Sequence, residues 1–321
     1  MRHYLCNKCG HAVDIDVPRC TCPSGIPDLR NASEIGSVHE VLYSGIAADD
    51  LTNSAQPSQA KLDRAHFDIK KLQRVFPPDE ELRILEIGPG DGFLSRLLAA
   101  KHNLYVMDIT DSYIRGFDFV KGAFVADIET MPFRDEFDVV ILCDVLEHVL
   151  NEGDALLAVQ QALRDGGIAY IRCPSNEPSV SYAQRLGSNY PYVHLRNHSA
   201  RTLSWVVVHA GFSIIRSGTV RLGPTGYARR DFGFTKLREA RATRFTRDVH
   251  RAHQGLPGTP VVNRLDWFVD LLEVYTWRIG NFVSRRLTSY LLQRFWYRPA
   301  EVYLIGRKRN LNFIDLSADN S

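Results

Sequence analysis

No run of roughly 18 apolar residues occurs anywhere in the chain, so a membrane-spanning helix is not expected. Residues 1–10 hold no apolar stretch of the kind a signal peptide needs and carry cysteines instead, which makes the cytoplasm the expected location. Internal repeats and long low-complexity segments are lacking. So is a charge excess of one sign: 39 Lys and Arg face 37 Asp and Glu, and the net +2 points to no particular partner. Cysteine is scarce along most of the chain, because four of the six lie within the first 22 residues while Cys143 and Cys173 sit in apolar segments. Clustered pairs in a chain of this kind favour metal binding over a disulfide framework.

What is present is enough for a well-buried core. Of 321 residues, 45% are hydrophobic and 24% charged, which suits one large domain or a standard domain with attachments. Residues 1–30 are poor in apolar side chains and rich in Cys and Pro, so they cannot build a core alone. Residues 31–81 read as an irregular connection followed by a helix over Gln59–Val75, ended by Pro77 and Pro78. From there short apolar strands alternate with amphipathic helices. Strands are expected at Arg83–Ile87, Leu104–Asp108, Ala123–Ala126, Asp138–Leu142 and Ile168–Cys173, and helices at Phe93–Lys101, Asn151–Arg164 and Ala200–Ala210. Near-continuous apolar strands separated by helices argue for an α/β fold with a parallel sheet covered on both faces. Two later strands, Phe212–Val220 and Glu301–Ile305, would extend that sheet. The core is thus expected over 82–220, with its final strand in 300–309 and a tail at 310–321. Residues 221–299 form an insertion far longer than ordinary loops. It is basic at first (Arg229, Arg230, Lys236, Arg238, Arg241, Arg244, Arg247) and then aromatic, with amphipathic helices expected over Leu265–Phe295.

The most informative segment runs from Ile84 through Glu86 and Ile87 into Gly88-Pro89-Gly90-Asp91-Gly92. A buried strand enters a glycine-rich turn and a helix follows, so backbone can approach a ligand closely and helix N–H groups can face an anion. A dinucleotide fingerprint would place its third glycine one residue later. Asp108 closes the next strand about twenty residues on, where a carboxylate can accept hydrogen bonds from both hydroxyls of a ribose. Asp127 and Ile128 follow the third strand, and Cys143 and Asp144 follow the fourth.

Glu86 with Gly88, Gly90 and Gly92 resembles motif I of the class I S-adenosylmethionine-dependent methyltransferases, and residues 137–149 and 163–168 resemble its later motifs in the expected order. The resemblance covers roughly residues 82–215. It implies a Rossmann-like, seven-stranded methyltransferase sheet and S-adenosylmethionine as cofactor. It also implies contacts to that cofactor from Glu86, Gly88, Gly90, Gly92, Asp108, Ile109, Asp127, Ile128, Cys143 and Asp144, with the acid at Asp127 facing the adenine amino group. Plainer readings stay open beside each: glycines for strand–helix packing, Asp108 and Asp127 as turn residues, and Cys143 as a small buried side chain.

The sulfonium is an activated electrophile, so a base is required only when the acceptor must lose a proton early. His148, just after the fourth strand, and His194, in a segment resembling one found before a helix in small-molecule and glycan methyltransferases, are the candidate bases. Packing or hydrogen bonding is the plainer role for both. Asp144, Glu147 and His148 share a helical face and with His194 admit a metal reading, similar to the small-RNA 3′-end 2′-O-methyltransferases, though the same string occurs without metal.

Cys6 and Cys9, with Cys20 and Cys22, offer four thiolates on two short turns, the composition of a structural zinc site. This segment resembles the small zinc ribbons that precede methyltransferase domains or activate them as separate subunits. The expected activity is methyl transfer to oxygen or nitrogen of a small molecule such as a sugar or another metabolite. RNA methylation through the ribbon and basic insertion, and a non-catalytic cofactor-binding role, are the alternatives; no RNA-binding signature is recognisable, so nucleic acid is not favoured as a partner. The insertion could serve as a lid, a dimer interface or a membrane-surface element.

Overall fold

The computed structural model describes residues 3–31, 59–77, 79–174, 195–196, 198–223, 226–230 and 298–309. Most of the insertion, residues 231–297, with the basic run from Lys236 and the helices expected over Leu265–Phe295, lies outside the described residues.

A small hairpin comes first, with β1 (His3–Leu5) antiparallel to β2 (Ala12–Asp14). Helix α1 (Gln59–Leu72) precedes the main sheet, which is built from β3 (Arg83–Ile87), β4 (Asn103–Asp108), β5 (Gly122–Val125), β6 (Phe137–Cys143), β7 (Leu163–Pro174), β8 (Phe212–Gly223), β9 (Gly226–Arg230) and β10 (Arg298–Lys308). Between them run α2 (Phe93–Ala99), α3 (Glu152–Ala162) and α4 (Ala200–His209). Strand order is β5-β4-β3-β6-β7-β10-β8-β9. β3, β4, β5, β6 and β7 pair in parallel, while β10 inserts antiparallel between β7 and β8.

Seven of these strands match the expected sheet, and β9 is an addition. β8 continues three residues past the expected end and turns back into β9, pairing Thr219 with Arg230 and Gly223 with Gly226. The first residues of the basic insertion therefore belong to the sheet. Arg221, Arg229 and Arg230 resemble a solvated charge run in sequence, and nothing in their spacing distinguishes that from a polar edge hairpin.

Alternation sorts the strands onto two cores. Leu85, Ile87, Val140 and Leu142 face one side with α3 and α4 residues such as Leu156, Val159, Leu203 and Val207. Ile84, Val139 and Ile141 face the other, with Leu72 of α1 and Leu94 and Leu98 of α2. Burying each such side chain contributes roughly 1.5–3 kcal/mol. Helix starts are written locally. The Asn151 side chain accepts from the N–H groups of Gly153 and Asp154 before α3, and Ser199 forms a capping box with Thr202 before α4.

The N-terminal hairpin is no separate body. Tyr4, Cys6, Val13, Ile15 and Leu29 are buried in the same cluster as Phe124, Phe133 and Phe137. The Tyr4 and Phe133 rings meet edge-on at 5.4 Å. Outside that core, Asp16 receives hydrogen bonds from Tyr105 at 2.9 Å and from the Arg83 guanidinium.

Candidate active site and cysteine cluster

The chain leaves β3 toward β4 on one side and, after β5, returns to pair β6 on the other. That reversal opens a crevice beyond the carboxyl ends of β3 and β6, where open α/β sheets bind ligands. A cleft of about 350 Å³ lies there, walled by Glu86, Gly88, Pro89, Gly90 and Asp91, by Phe93 and Leu94 of α2, by Cys143 and Asp144 after β6, by Arg172 of β7 and by Lys61, Arg64 and Asp68 of α1.

The turn is shaped for approach. Gly88 and Gly90 have φ of 64° and 54°, dihedrals that side-chain-bearing residues rarely take. A Cβ at Gly88 would strike Val145 at 2.7 Å, whereas one at Gly90 would meet nothing within 4 Å among the described residues, which leaves open space on the cleft side. Gly92 is different: a Cβ there would press on the Phe117 ring at 2.6 Å, so its lack of a side chain serves packing and it does not line the cleft. Helix α2 ends at Ala99, shorter than expected.

Glu86 is buried, and its Oε2 accepts from Ser95 Oγ at 2.6 Å, tying β3 to α2. Burial raises its pKa to about 7, against the lowering effect of Ser95. Asp108 ends β4 with its Oδ1 accepting from Thr110 N–H at 3.1 Å. Burial raises it to about 7 as well, opposed by the backbone N–H groups of Thr110 and Ile109. Asp127 Oδ1 accepts from Glu129 N–H at 2.9 Å, an Asx turn, and Ile128 is buried in the core. Neither Asp108, Ile109, Asp127 nor Ile128 is among the residues walling the cleft.

A charged cluster that the sequence did not disclose fills the far wall. Arg172 Nη1 donates to Glu301 Oε2 at 3.0 Å, and its guanidinium lies 3.3 Å from Asp68 and 3.4 Å from Asp144. Arg64 pairs with Glu301 at 2.6 Å and with Asp144. Tyr170 donates to Asp68 at 2.5 Å. Three carboxyls thus share two guanidinium groups. Burial raises Asp68 well above the usual carboxylate range, and the neighbouring Glu301 and Asp144 carboxyls push it the same way, against Tyr170 and Arg64. Asp144 is raised to about 7 by burial and has φ of 57°, a strained conformation for a non-glycine residue at a strand end.

Two signals could have found this cluster. Lys61, Arg64, Ala65 and Asp68 fall on one helical face, which ordinarily reads as a solvated one. Arg172 and Glu301 interrupt apolar strands, where an ionised side chain needs a partner.

His148 is half-buried, with Nε2 3.8 Å from Glu147 Oε1, and is not part of the cleft wall. His194 lies outside the described residues. Glu147 is fully buried with neither carboxyl oxygen hydrogen-bonded among the described residues, and burial raises its pKa well above the usual range.

The four N-terminal cysteines do converge. Their sulfur atoms all lie within 4.8 Å of one another, with Cys6 and Cys22 at 3.5 Å and Cys9 and Cys20 at 3.2 Å. These separations are far beyond a disulfide bond and near the roughly 3.8 Å edge of a tetrahedron with metal–sulfur bonds of about 2.3 Å. Hydrogen bonds, first from Thr21 and then Cys20, lower the exposed Cys9 thiol to about 6. The donor set and its closure fit a structural zinc ion. Among the described residues this is the one group of His, Cys, Asp or Glu side chains with such convergence. No helix among them is long and apolar enough to cross a membrane.

Comparison with known proteins agrees with the topology. Residues 60–217 match the family model described as a methyltransferase domain. Two curated relatives, the ubiquinone biosynthesis O-methyltransferases of Rickettsia canadensis and Rickettsia typhi, are 29% and 28% identical over 116 residues, which is 34% of this chain and 49% and 47% of theirs. The chain therefore spans about half the length of the curated relatives it matches. Among solved structures, a chain of the complex between the Haloferax volcanii Trm112 methyltransferase activator and a methyltransferase superposes with a TM-score of 0.50 at 16% identity, covering 84% of this chain and 98% of that one. At such identity the likeness concerns fold alone. The matched family model identifies residues 60–217 as a methyltransferase domain, and the crevice at the strand reversal and the glycine turn both lie within it.

Proposed function

We propose that the chain transfers the methyl group of S-adenosylmethionine to an oxygen or nitrogen of a small-molecule acceptor held in the cleft beyond β3 and β6. The observation that carries this reading is the cleft itself, which gathers the open glycine turn, Glu86, Cys143 and Asp144 on the ligand side of the sheet. The relatives named as ubiquinone biosynthesis O-methyltransferases support a hydroxyl acceptor without fixing its identity.

When bound, the sulfonium supplies a methyl carbon already activated for attack, so the chain's work is alignment and exclusion of water. Gly88 and Gly90 leave room for the amino-acid end of the cofactor. Asp108 accepts from the ribose hydroxyls, Ile109 and Ile128 pack on the adenine, and Asp127 accepts from its amino group. Gly92 serves this site at one remove by letting the Phe117 loop pack on the turn. Arg64 and Asp68 bring α1 across the cleft and keep bulk water out. For a hydroxyl acceptor Asp144, which lines the cleft just after β6, can take the proton, its pKa lying near neutrality. His148 and His194 are the imidazole alternatives. The four cysteines hold a structural zinc ion, a closed site with no place for substrate. The cytoplasm, where such thiols stay reduced, is the compartment this reading expects.

Isothermal titration with S-adenosylhomocysteine, followed by turnover with phenols, sugars and amines, tests the reading. Binding together with turnover of one acceptor class supports it. Binding of NAD with none of S-adenosylhomocysteine contradicts it. A loss of turnover that follows Asp144→Asn and spares His148→Gln assigns the base. The RNA alternative relies on the cysteine hairpin and the basic insertion, most of which lies outside the described residues, and would appear as RNA affinity that falls steeply with salt.

A further inference from the structure

We infer that the four-cysteine site sets the affinity for the cofactor through Arg30, a positioning residue that ties the cysteine hairpin to both segments proposed to hold the nucleoside. The inference rests on the cofactor reading above.

The connection starts at the first knuckle. Cys6 Sγ accepts from Asp28 N–H at 3.4 Å, and Asn7 N–H donates to the Asp28 carbonyl at 2.7 Å. The Asn7 side-chain amide donates to the Arg30 carbonyl, and Lys8 Nζ lies 3.1 Å from Asp28 Oδ2. Residues 28–30 therefore take their path from the Cys6–Cys9 turn.

That strap then grips the core in two places. Its backbone pairs with the edge strand β5: Val125 N–H donates to the Pro27 carbonyl at 2.9 Å, and Leu29 N–H to the Val125 carbonyl at 2.8 Å. Val125 lies two residues before Asp127. The Arg30 side chain, 1% exposed, clasps Asp28 with Nε and Nη2 at 2.9 and 2.6 Å, and its Nη1 donates to the Ile109 carbonyl at 3.0 Å. Ile109 follows Asp108. The two segments are also joined to each other, since Ala126 N–H donates to the Asp108 carbonyl at 3.0 Å. A guanidinium suits this position because its rigid fork serves a carboxylate and a carbonyl at once.

Metal binding has leverage here because the Cys6–Cys9 turn buries only Cys6, so little besides the thiolates holds that turn in place. Without an ion, four thiols gain little from converging, and the turn that supports Asp28 loses its constraint. The strap then frays from β5, and the nucleoside segments lose preorganisation, which lowers affinity without removing any direct contact.

The experiment uses the full chain in three states: zinc-loaded, chelator-treated and zinc-restored. S-adenosylhomocysteine binding is measured by calorimetry, zinc by elemental analysis, and amide hydrogen exchange at Val125 in each state. The same measurements are made on Asp28→Asn/Arg30→Met, which removes both buried charges together and so strands neither, and on Arg30→Lys. Chelation is expected to weaken binding by about tenfold or more, reversibly, and to speed exchange at Val125. The double variant is expected to keep its zinc and its melting temperature while binding about tenfold more weakly, with partial recovery in Arg30→Lys. Should the double variant not fold, the chelation series and the Val125 exchange decide alone. Unchanged affinity after zinc removal overturns the inference and leaves the cofactor reading standing, as does unchanged affinity in a folded double variant. A chain that takes up no zinc overturns it too. Zinc-loaded wild-type protein that ignores S-adenosylhomocysteine brings down both.

Discussion

Asp108 carries two opposed demands. Its carboxyl is buried at the end of β4, and burial lifts its pKa to about 7. That value stands above the unfolded value of about 3.9, so its stabilising contribution is complete below pH 4 and is lost as pH rises toward 7. The cofactor-free protein is therefore expected to melt at lower temperature at pH 8 than at pH 5, with Glu86 contributing in the same direction. Cofactor binding has the opposite slope, because the ionised carboxylate is the better acceptor for ribose hydroxyls. Asp108→Asn should stabilise the free protein at pH 8 by roughly 1–3 kcal/mol while weakening S-adenosylhomocysteine, a pairing that melts and calorimetry can check together. Gly88 makes a simpler case. Gly88→Ala combines φ of 64° with a 2.7 Å approach to Val145, and a loss of roughly 1–3 kcal/mol is expected in denaturant melts. These residues were legible because each stands where a strand meets a turn. Arg64, Asp68, Arg172 and Glu301 were not, because their partners are distant in sequence and pairing is what explains them.

At the level of elements, the apolar strands and capped helices fell close to where periodicity put them, while polar elements did not. The β8–β9 hairpin reads as the start of an insertion because an edge strand lacks the apolar alternation of a buried one. Helix α1 lies where the spacing put it, but its polar residues Lys61, Arg64 and Asp68 line the cleft, where Arg64 and Arg172 tie α1, β7 and β10 to Asp144 after β6. The two guanidinium groups should differ in weight. Arg172 is 4% exposed among three carboxyls, so Arg172→Met should cost roughly 3–5 kcal/mol by leaving buried acids uncompensated. Arg64 is 29% exposed and solvent screens its pairs, so Arg64→Ala should cost about 1 kcal/mol. Equal losses in urea titrations would mean that the cluster is not organised around Arg172.

For the molecule as a whole, the cysteine hairpin could be recognised in the sequence, but its attachment could not. The short apolar content of residues 1–30 showed only that they could not fold alone. Tyr4, Val13, Ile15 and Leu29 complete the core beneath β5, so hairpin and sheet share one hydrophobic interior. Metal removal should accordingly lower the temperature of a single calorimetric transition; a separate early transition with the main melt unmoved would mean that the hairpin is an independent appendage.

The central claim is that the turn after β3 holds the amino-acid end of S-adenosylmethionine while Asp108 holds its ribose. Calorimetric titration of S-adenosylhomocysteine into wild-type protein and Asp108→Ala tests it most directly. One site per chain is expected, weakened by roughly 1–3 kcal/mol in the folded variant as charge-assisted hydrogen bonds are lost. Equal affinity for both proteins would contradict the claim.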